Sequence, residues 1–73
     1  MYFNNISLLF DRGYYTIQDT RQFLKRHHII PIKAIHVTDK YYRARLLVPD
    51  YKRHYYRIHR IERGLDCILE FNK

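Results

Sequence analysis

Side chains of alternating character run through most of the second half of the chain, and this alternation limits what the chain can fold into. Between residues 41 and 48, the even-numbered positions are apolar or aromatic, whereas Arg43 and Arg45 stand between them. Successive side chains of a β-strand point to opposite faces, so such a segment can turn one side to a core and the other to solvent. We predict strands over residues 41–48, 55–61 and 65–71. Their expected core-facing residues are Tyr42, Ala44, Leu46 and Val48, then Tyr56 and Ile58, then Leu65, Cys67, Leu69 and Phe71.

The first half of the chain contains one helix signal. Thr16 is suited to cap a helix, because its hydroxyl can accept a hydrogen bond from the backbone N–H of Asp19. The carboxylate of Asp19 also lies where the helix dipole favours a negative charge. Apolar side chains then recur with the 3.6-residue period until Pro31, which cannot extend a helix. We therefore predict a helix over residues 17–28.

Two further strands are predicted from short apolar and β-branched segments at residues 6–10 and 33–38,. The resulting order is β-α-β-β-β-β. It favours an α+β fold in which one helix packs on one face of a mostly antiparallel sheet. The other face of that sheet is expected to be exposed to solvent. We expect residues 1–73 to form a single compact domain, because a chain of this length has room for one core.

The balance of charge is strongly basic. The formal net charge is +7, and the larger share of the excess lies in the second half of the chain. Such charge raises the rate of encounter with polyanions, and its effect falls with salt. No segment is apolar enough over sufficient length for a membrane helix, and residues 1–10 lack the features of a signal peptide. The single cysteine, Cys67, cannot form an internal disulfide and is expected in the core,.

A basic and aromatic surface would form if the strands predicted over residues 41–48 and 55–61 were neighbours. Arginines could then contact phosphates, and tyrosines could stack on bases, which contributes about 1–3 kcal/mol per base. Tyr41 and Tyr55 are the expected stacking residues. Arg60 is the weakest candidate, because the alternation of the strand places it on the same side as the inward-facing Tyr56 and Ile58. The candidate residues for nucleic-acid binding are Tyr41, Arg43, Arg45, Lys52, Arg53, Tyr55, Arg57 and Arg60.

Other interpretations of these residues stay open. They can form a solvated sheet face, stabilised by cross-strand aromatic and cation–π pairs of about 0.5–1 kcal/mol each. They can be the hot spots of a virion component or inhibitor that docks on an acidic protein. A small ribonuclease would use His54, Arg57 and His59 for acid–base and phosphate chemistry. An exposed edge strand could also pair two copies into a homodimer.

No catalytic or metal-binding spacing is visible in the sequence. Most carboxylates stand at predicted turns and caps, where they bond to their own backbone, and the histidines lack the spacing of a metal site. We expect a protein that is not an enzyme and has no metal ion or cofactor. Its expected partner is nucleic acid, either DNA or RNA, or an acidic protein, and the binding of nucleic acid would be weakly sequence-specific.

Several short motifs follow one another along the chain in a particular order. They are Leu9, Phe10 and Asp11; Tyr15 and Thr16; residues 23–27; Lys33; Thr38; residues 42–45; Pro49; Tyr51; Arg57; and Gly64 and Leu65. In this order and spacing the chain resembles a small α+β domain of large DNA viruses and bacteriophages, found alone or inside larger phage proteins. The chain differs in having Gly64 and Leu65 where the family has Gly-Ile, and it lacks the apolar ending on glycine. The resemblance implies a viral or phage origin, with the protein in the host cytoplasm or the virion. It supplies no catalytic residue.

Overall fold

The sequence forms one helix and a five-stranded antiparallel sheet, so the expected α+β fold is confirmed. The computed structural model describes residues 3–72. No helix in this described part is long and apolar enough to cross a bilayer. The elements are β1 (Phe3–Asp11), α1 (Ile17–Arg26), β2 (His36–Val37), β3 (Tyr41–Arg45), β4 (His54–Glu62) and β5 (Leu65–Asn72).

The strand order in the sheet is β2-β3-β1-β5-β4, and every neighbouring pair is antiparallel. The first strand therefore lies at the centre, between β3 and β5. Short turns make the hairpins β2–β3 and β4–β5, whereas the chain between β3 and β4 must pass two strands to reach the far edge. This long connection decides where the basic residues lie.

The helix begins and ends with complete hydrogen-bonded caps. As predicted, Thr16 Oγ1 accepts from the N–H of Asp19 at 3.0 Å, and the carboxylate of Asp19 accepts from the N–H of Thr16 at 3.0 Å. The helix ends at Arg26, two residues before the predicted end. There His28 adopts a φ of 56°, and its N–H donates to the carbonyl of Lys25. This left-handed residue turns the chain out of the helix before Pro31.

One face of the sheet packs against α1 and contains the main core. We call it the helix face. Phe10 is completely buried there, and its ring meets those of Tyr15 and Phe23 edge to face at 5.2 and 5.3 Å. Cys67 is 3% exposed, which confirms its expected place in the core. The buried cluster consists of Leu8, Phe10, Leu24, Ala44, Leu65 and Cys67.

The opposite face, which we call the far face, is also buried at its centre, so the expectation that it would be wholly exposed is wrong. The connection between β3 and β4 folds back against it. The N–H of Asp50 donates to Tyr56 Oη at 2.7 Å, and that hydroxyl donates to Glu70 at 3.0 Å. The ring of Tyr51 packs on Tyr56 at 4.9 Å. The buried residues that belong to this face are Ile6, Ser7, Leu9, Asp66 and Glu70.

Two predicted strands are shorter than expected. The segment 33–38 pairs with β3 only at His36 and Val37. The strand predicted over residues 41–48 ends at Arg45, because the N–H groups of Leu46 and Leu47 both turn to the carbonyl of Ile6, the extra residue of a bulge in β1.

Two residues predicted to face the core are exposed instead. Val48 lies in the connection after β3 and is 73% exposed, and Ile58 is 69% exposed. Ile58 is exposed because β4 is an edge strand, and its central residues are exposed on both faces.

Candidate nucleic-acid interface

The two basic strands are not neighbours. The prediction that residues 41–48 and 55–61 form one surface side by side is therefore wrong. Strands β1 and β5 lie between β3 and β4. Three steps of about 4.8 Å separate the two strands, or about 14 Å in all. An antiparallel hairpin places strands that are adjacent in sequence next to each other, but the chain between Arg45 and His54 crosses the sheet instead.

The aromatic and basic residues of the two strands also point to opposite faces. Directly paired residues share a face. His59 pairs with Cys67, which pairs with Leu8 of the core, so His59 belongs to the helix face, as do Tyr55 and Arg57 at the same parity. Tyr41, Arg43 and Arg45 pair with Asp11, Leu9 and Ser7 and belong to the far face.

Arg60 lies on the far face together with Tyr56 and Ile58, as its parity predicted, but it is exposed there and does not point inward. The pairs Arg60–Asp66 and Asp66–Leu9 connect it across the sheet to Leu9, which pairs with Arg43. Arg60 Nε donates to Asp66 Oδ1 at 3.1 Å. Within residues 3–72, no other Lys or Arg lies within 4 Å of a carboxylate. Arg60 is thus the candidate with the most neutralised charge.

A groove of about 540 Å³ at the β2–β3 edge brings four basic side chains together. We call it the cationic groove and define it by Lys33, His36, Arg43 and Arg45. His36 lies directly opposite Arg43 in the β2–β3 hairpin. The N–H of Ile32 donates to the carbonyl of Arg45 at 2.9 Å, which holds the segment before β2 against β3. Ala34 and Ile35 complete the lining, and no carboxylate belongs to it.

One atom of Arg43, its Nε, distinguishes this residue from the other basic residues of the groove. Its Nε is buried and has no hydrogen-bond partner. A buried donor without an acceptor costs about 1–3 kcal/mol, and more when the group is charged. Arg43 and Arg45 are half-buried, whereas Lys33 and His36 are exposed. The groove therefore combines two half-buried guanidinium groups with two exposed basic side chains.

Lys33 and His36 were not among the residues predicted to bind, although a signal for His36 was present. A hairpin with its turn at Asp39 and Lys40 places residue 36 opposite residue 43. Lys33 lies outside the short strand, and its place in the groove depends on the backbone contact between Ile32 and Arg45. That contact is not visible in the sequence.

The remaining candidates form a separate group at β4. We call Lys52, Arg53, Tyr55 and Arg57 the β4 patch. Lys52 and Arg53 are exposed in the turn before the strand. The ring of Tyr55 is stacked on that of Phe71 at 5.3 Å and 17°, and Arg57 lies against Tyr55 at 5.8 Å. Tyr55 is thus already in contact with a ring and a guanidinium.

The residues suspected of ribonuclease chemistry do not converge. His54 pairs with Asn72 and belongs to the far face, where its Nε2 lies 3.8 Å from Glu70 and its Nδ1 3.2 Å from the carbonyl of Asp50. Arg57 and His59 lie on the helix face. No three His, Cys, Asp or Glu side chains within residues 3–72 are grouped so as to hold a metal ion.

A second groove, of about 550 Å³, lies between α1 and the end of β4, and its chemistry is mixed. Tyr15 Oη donates to Glu62 Oε1 at 3.2 Å across it. Burial and then this hydrogen bond raise the pKa of Tyr15 above its ordinary value. Asp19 and Glu62 offset the charge of Arg26 in the lining, which makes this groove a poorer site for a polyanion.

Comparison of the chain with protein-family models, with curated proteins and with solved structures found no match. The structure defines a small α+β protein with one helix on a five-stranded antiparallel sheet. Its function has to be argued from its own surface.

Proposed function

We propose that this protein binds nucleic acid through the sugar–phosphate backbone, and that the cationic groove is the principal contact. The observation that carries the proposal is the convergence of Lys33, His36, Arg43 and Arg45 around one groove whose lining contains no carboxylate. The half-buried guanidinium groups of Arg43 and Arg45 can supply charge-assisted hydrogen bonds to phosphate oxygens,. As expected from the sequence, this role is non-enzymatic, and a viral or phage origin remains part of the proposal.

The groove favours phosphate contacts over base recognition. Guanidinium groups form two parallel hydrogen bonds to phosphate oxygens, and the geometry of Arg43 is restricted by its partial burial,. No aromatic ring belongs to the groove lining, and the ring of Tyr55 is on the other face. Contacts to phosphates position a protein without reading sequence. We therefore expect weak sequence specificity and steep dependence on salt.

A fluorescence anisotropy titration with labelled single-stranded and duplex oligonucleotides tests the proposal. If Lys33, Arg43 and Arg45 each contact a phosphate, the logarithm of the duplex association constant should fall against the logarithm of salt with a slope of about −2.7. Affinity would then fall roughly 40-fold between about 50 mM and about 200 mM salt. Binding that is absent at low salt, or that ignores salt, would reject the proposal.

A pair of double variants separates the groove from charge in general. Arg43→Ala with Arg45→Ala and Lys52→Ala with Arg53→Ala each remove two positive charges. The first pair should reduce the magnitude of the salt slope by about 1.8 and affinity at low salt by at least tenfold. The second pair should change affinity much less. Equal losses in both would mean that net charge, and not the groove, determines binding.

Docking on an acidic protein is the second candidate, and a separate observation favours it. Ile30 is 88% exposed and Ile32 is 47% exposed, next to a depression that Lys25 and Lys33 help to line. Apolar residues ringed by basic ones are suited to a protein surface that is both apolar and acidic. This arrangement lies beside the cationic groove, since Lys33 belongs to both.

Ile30→Ser discriminates the two candidates. If nucleic acid is the partner, this variant should keep its affinity for oligonucleotides. If an acidic protein is the partner, one defined protein should co-purify with the wild-type chain and with the exposed-loop control Val48→Ser, but not with Ile30→Ser. The test variant and its control each change an exposed aliphatic residue, since Ile30 is 88% exposed and Val48 is 73% exposed.

A further inference from the structure

The two edges of the sheet differ greatly in length. At one edge, β2 has only two residues, and the chain before it contains Pro31. At the other edge, β4 has nine residues and contains no proline, and β5 is its one neighbouring strand among residues 3–72. Its central residue, Ile58, is 69% exposed. A long edge strand with exposed apolar side chains is the type of edge that pairs with another strand.

We propose that β4 pairs with β4 of a second copy, antiparallel and centred on Ile58, and so joins two sheets into one of ten strands. Ile58 is the midpoint of His54–Glu62, so this register gives the greatest overlap. A twofold axis at Ile58 places each residue opposite a residue of the same parity. The helix faces of both copies then lie on the same side of the joined sheet.

The sequence of β4 is self-complementary in this register. Ile58 faces Ile58 of the partner subunit, which buries two exposed aliphatic side chains against each other. Arg57 faces the partner's His59, and Tyr56 faces the partner's Arg60, so no guanidinium lies directly opposite another. Aromatic–cation and aliphatic pairs across strands are favourable, whereas like charges directly opposite each other are unfavourable.

Neighbouring registers are worse. An axis at Arg57 or at Arg60 places two identical guanidinium groups opposite each other, and an axis at His59 brings Arg60 opposite Ile58. An axis at Tyr56 shortens the overlap at the end of the strand near His54. Beyond Arg60, the bulge at Ile61 interrupts the ladder, which confines the regular pairing to the centre of the strand,. Ile58 is therefore the favoured centre.

This association is independent of the proposed binding of nucleic acid, because the cationic groove lies at the opposite edge of the sheet. The two processes should also respond to salt in opposite directions. Two chains of net charge +7 repel each other, and salt screens that repulsion,. Dimer formation is thus expected to strengthen with salt while nucleic-acid binding weakens.

Size-exclusion chromatography with light scattering, over a dilution series at about 150 mM salt, tests the association. The wild-type chain should show a dimer that dissociates on dilution. Ile58→Lys places two ammonium groups at the twofold axis and should shift the dissociation constant upward by at least tenfold. Val48→Lys, the same kind of change at an exposed loop position, should leave it unchanged. A chain that is monomeric at every concentration, or equal dimerisation of both variants, would overturn the proposal.

Disulfide trapping tests the register. Two Ile58→Cys chains bring identical residues face to face, within the Cα separation that a disulfide needs, and should cross-link readily under oxidising conditions. Two Tyr55→Cys chains place their cysteines six residues apart along the strands, or about 20 Å, and should not. The native Cys67 is buried and common to both variants. Cross-linking of Tyr55→Cys in preference to Ile58→Cys would refute this register.

Discussion

Gly64 shows how one residue fixes a turn of this fold. It joins β4 to β5 with a φ of +79°, and its carbonyl accepts from the N–H of Asp11 at 2.8 Å. A Cβ at this position would lie 2.6 Å from the Cβ of Tyr14. Both the backbone conformation and the space therefore require glycine.

We expect Gly64→Ala to lower the free energy of unfolding by roughly 2–4 kcal/mol, because it adds left-handed strain to a steric overlap. Gly13→Ala is the matched control. Its Cβ would meet only the movable side-chain oxygen of Asp11, at 3.1 Å, and its φ is not in the left-handed region, so the loss should be smaller. Urea denaturation followed by circular dichroism measures both. Similar losses would contradict the steric explanation.

Burial in the core suppresses the reactivity of the Cys67 thiol. It is 3% exposed, and burial, followed by the charge of Asp66, raises the pKa of its thiol above the ordinary value. A protonated and inaccessible thiol is a poor nucleophile. The side chain behaves as a small apolar group, as the sequence predicted.

We expect the reaction of Cys67 with a thiol-specific disulfide reagent at pH 8 to be slow in the native protein. The rate should rise with urea in step with the unfolded fraction measured by circular dichroism, because the thiol becomes reactive only when the sheet opens. Gly64→Ala should accelerate labelling in proportion to its loss of stability. Fast labelling of the folded wild-type chain would show that β5 opens locally.

At the scale of elements, the end of α1 contains a strained residue. His28 occupies the left-handed position that glycine usually fills, and its N–H donates to Lys25 while that of Ile29 donates to Leu24 at 2.8 Å. These two bonds form the usual pair of a helix that ends in a left-handed residue. A side chain at this conformation costs about 1–2 kcal/mol.

Replacing that residue should therefore stabilise the protein. We expect His28→Gly to raise the free energy of unfolding by about 1 kcal/mol and the melting temperature by roughly 4–8 °C. His27→Gly is the control, since His27 has a φ of −94° and its ring packs on Phe23 at 4.3 Å. It should lower the melting temperature. A decrease in both variants would mean that the side chain of His28 makes a net favourable contribution.

Local signals predicted the elements, but the order of the strands depends on contacts that no local signal specifies. The cap at Thr16 and the core face of residues 65–71 were predictable, because the pattern concerns neighbours in sequence. The placement of β1 between β3 and β5 is a non-local choice, and it separates Arg43 from Arg57. The bulge at Ile6 likewise ends β3 early and cannot be read from a period of two.

At the scale of the whole molecule, charge is poorly compensated. Within residues 3–72, the ion pairs are Arg60–Asp66 and His54–Glu70, the second of which requires a protonated imidazole. A formal net charge of +7 on a chain this small favours expansion through self-repulsion,. Screening by salt therefore removes more repulsion than attraction.

We expect the melting temperature to rise by roughly 2–6 °C between about 10 mM and about 150 mM potassium chloride. The variant Arg43→Ala with Arg45→Ala carries less charge and should show a smaller increase. Differential scanning fluorimetry at constant pH measures both, and potassium fluoride at equal ionic strength controls for binding of a particular anion. A melting temperature that falls with salt would show that attractive ion pairs dominate.

The cationic groove and the β4 patch lie at opposite edges of the sheet, with Arg43 and Arg57 on opposite sides of it. Because these two basic groups face opposite sides of the sheet, a polyanion bound in the cationic groove, as we propose, would not contact Arg57.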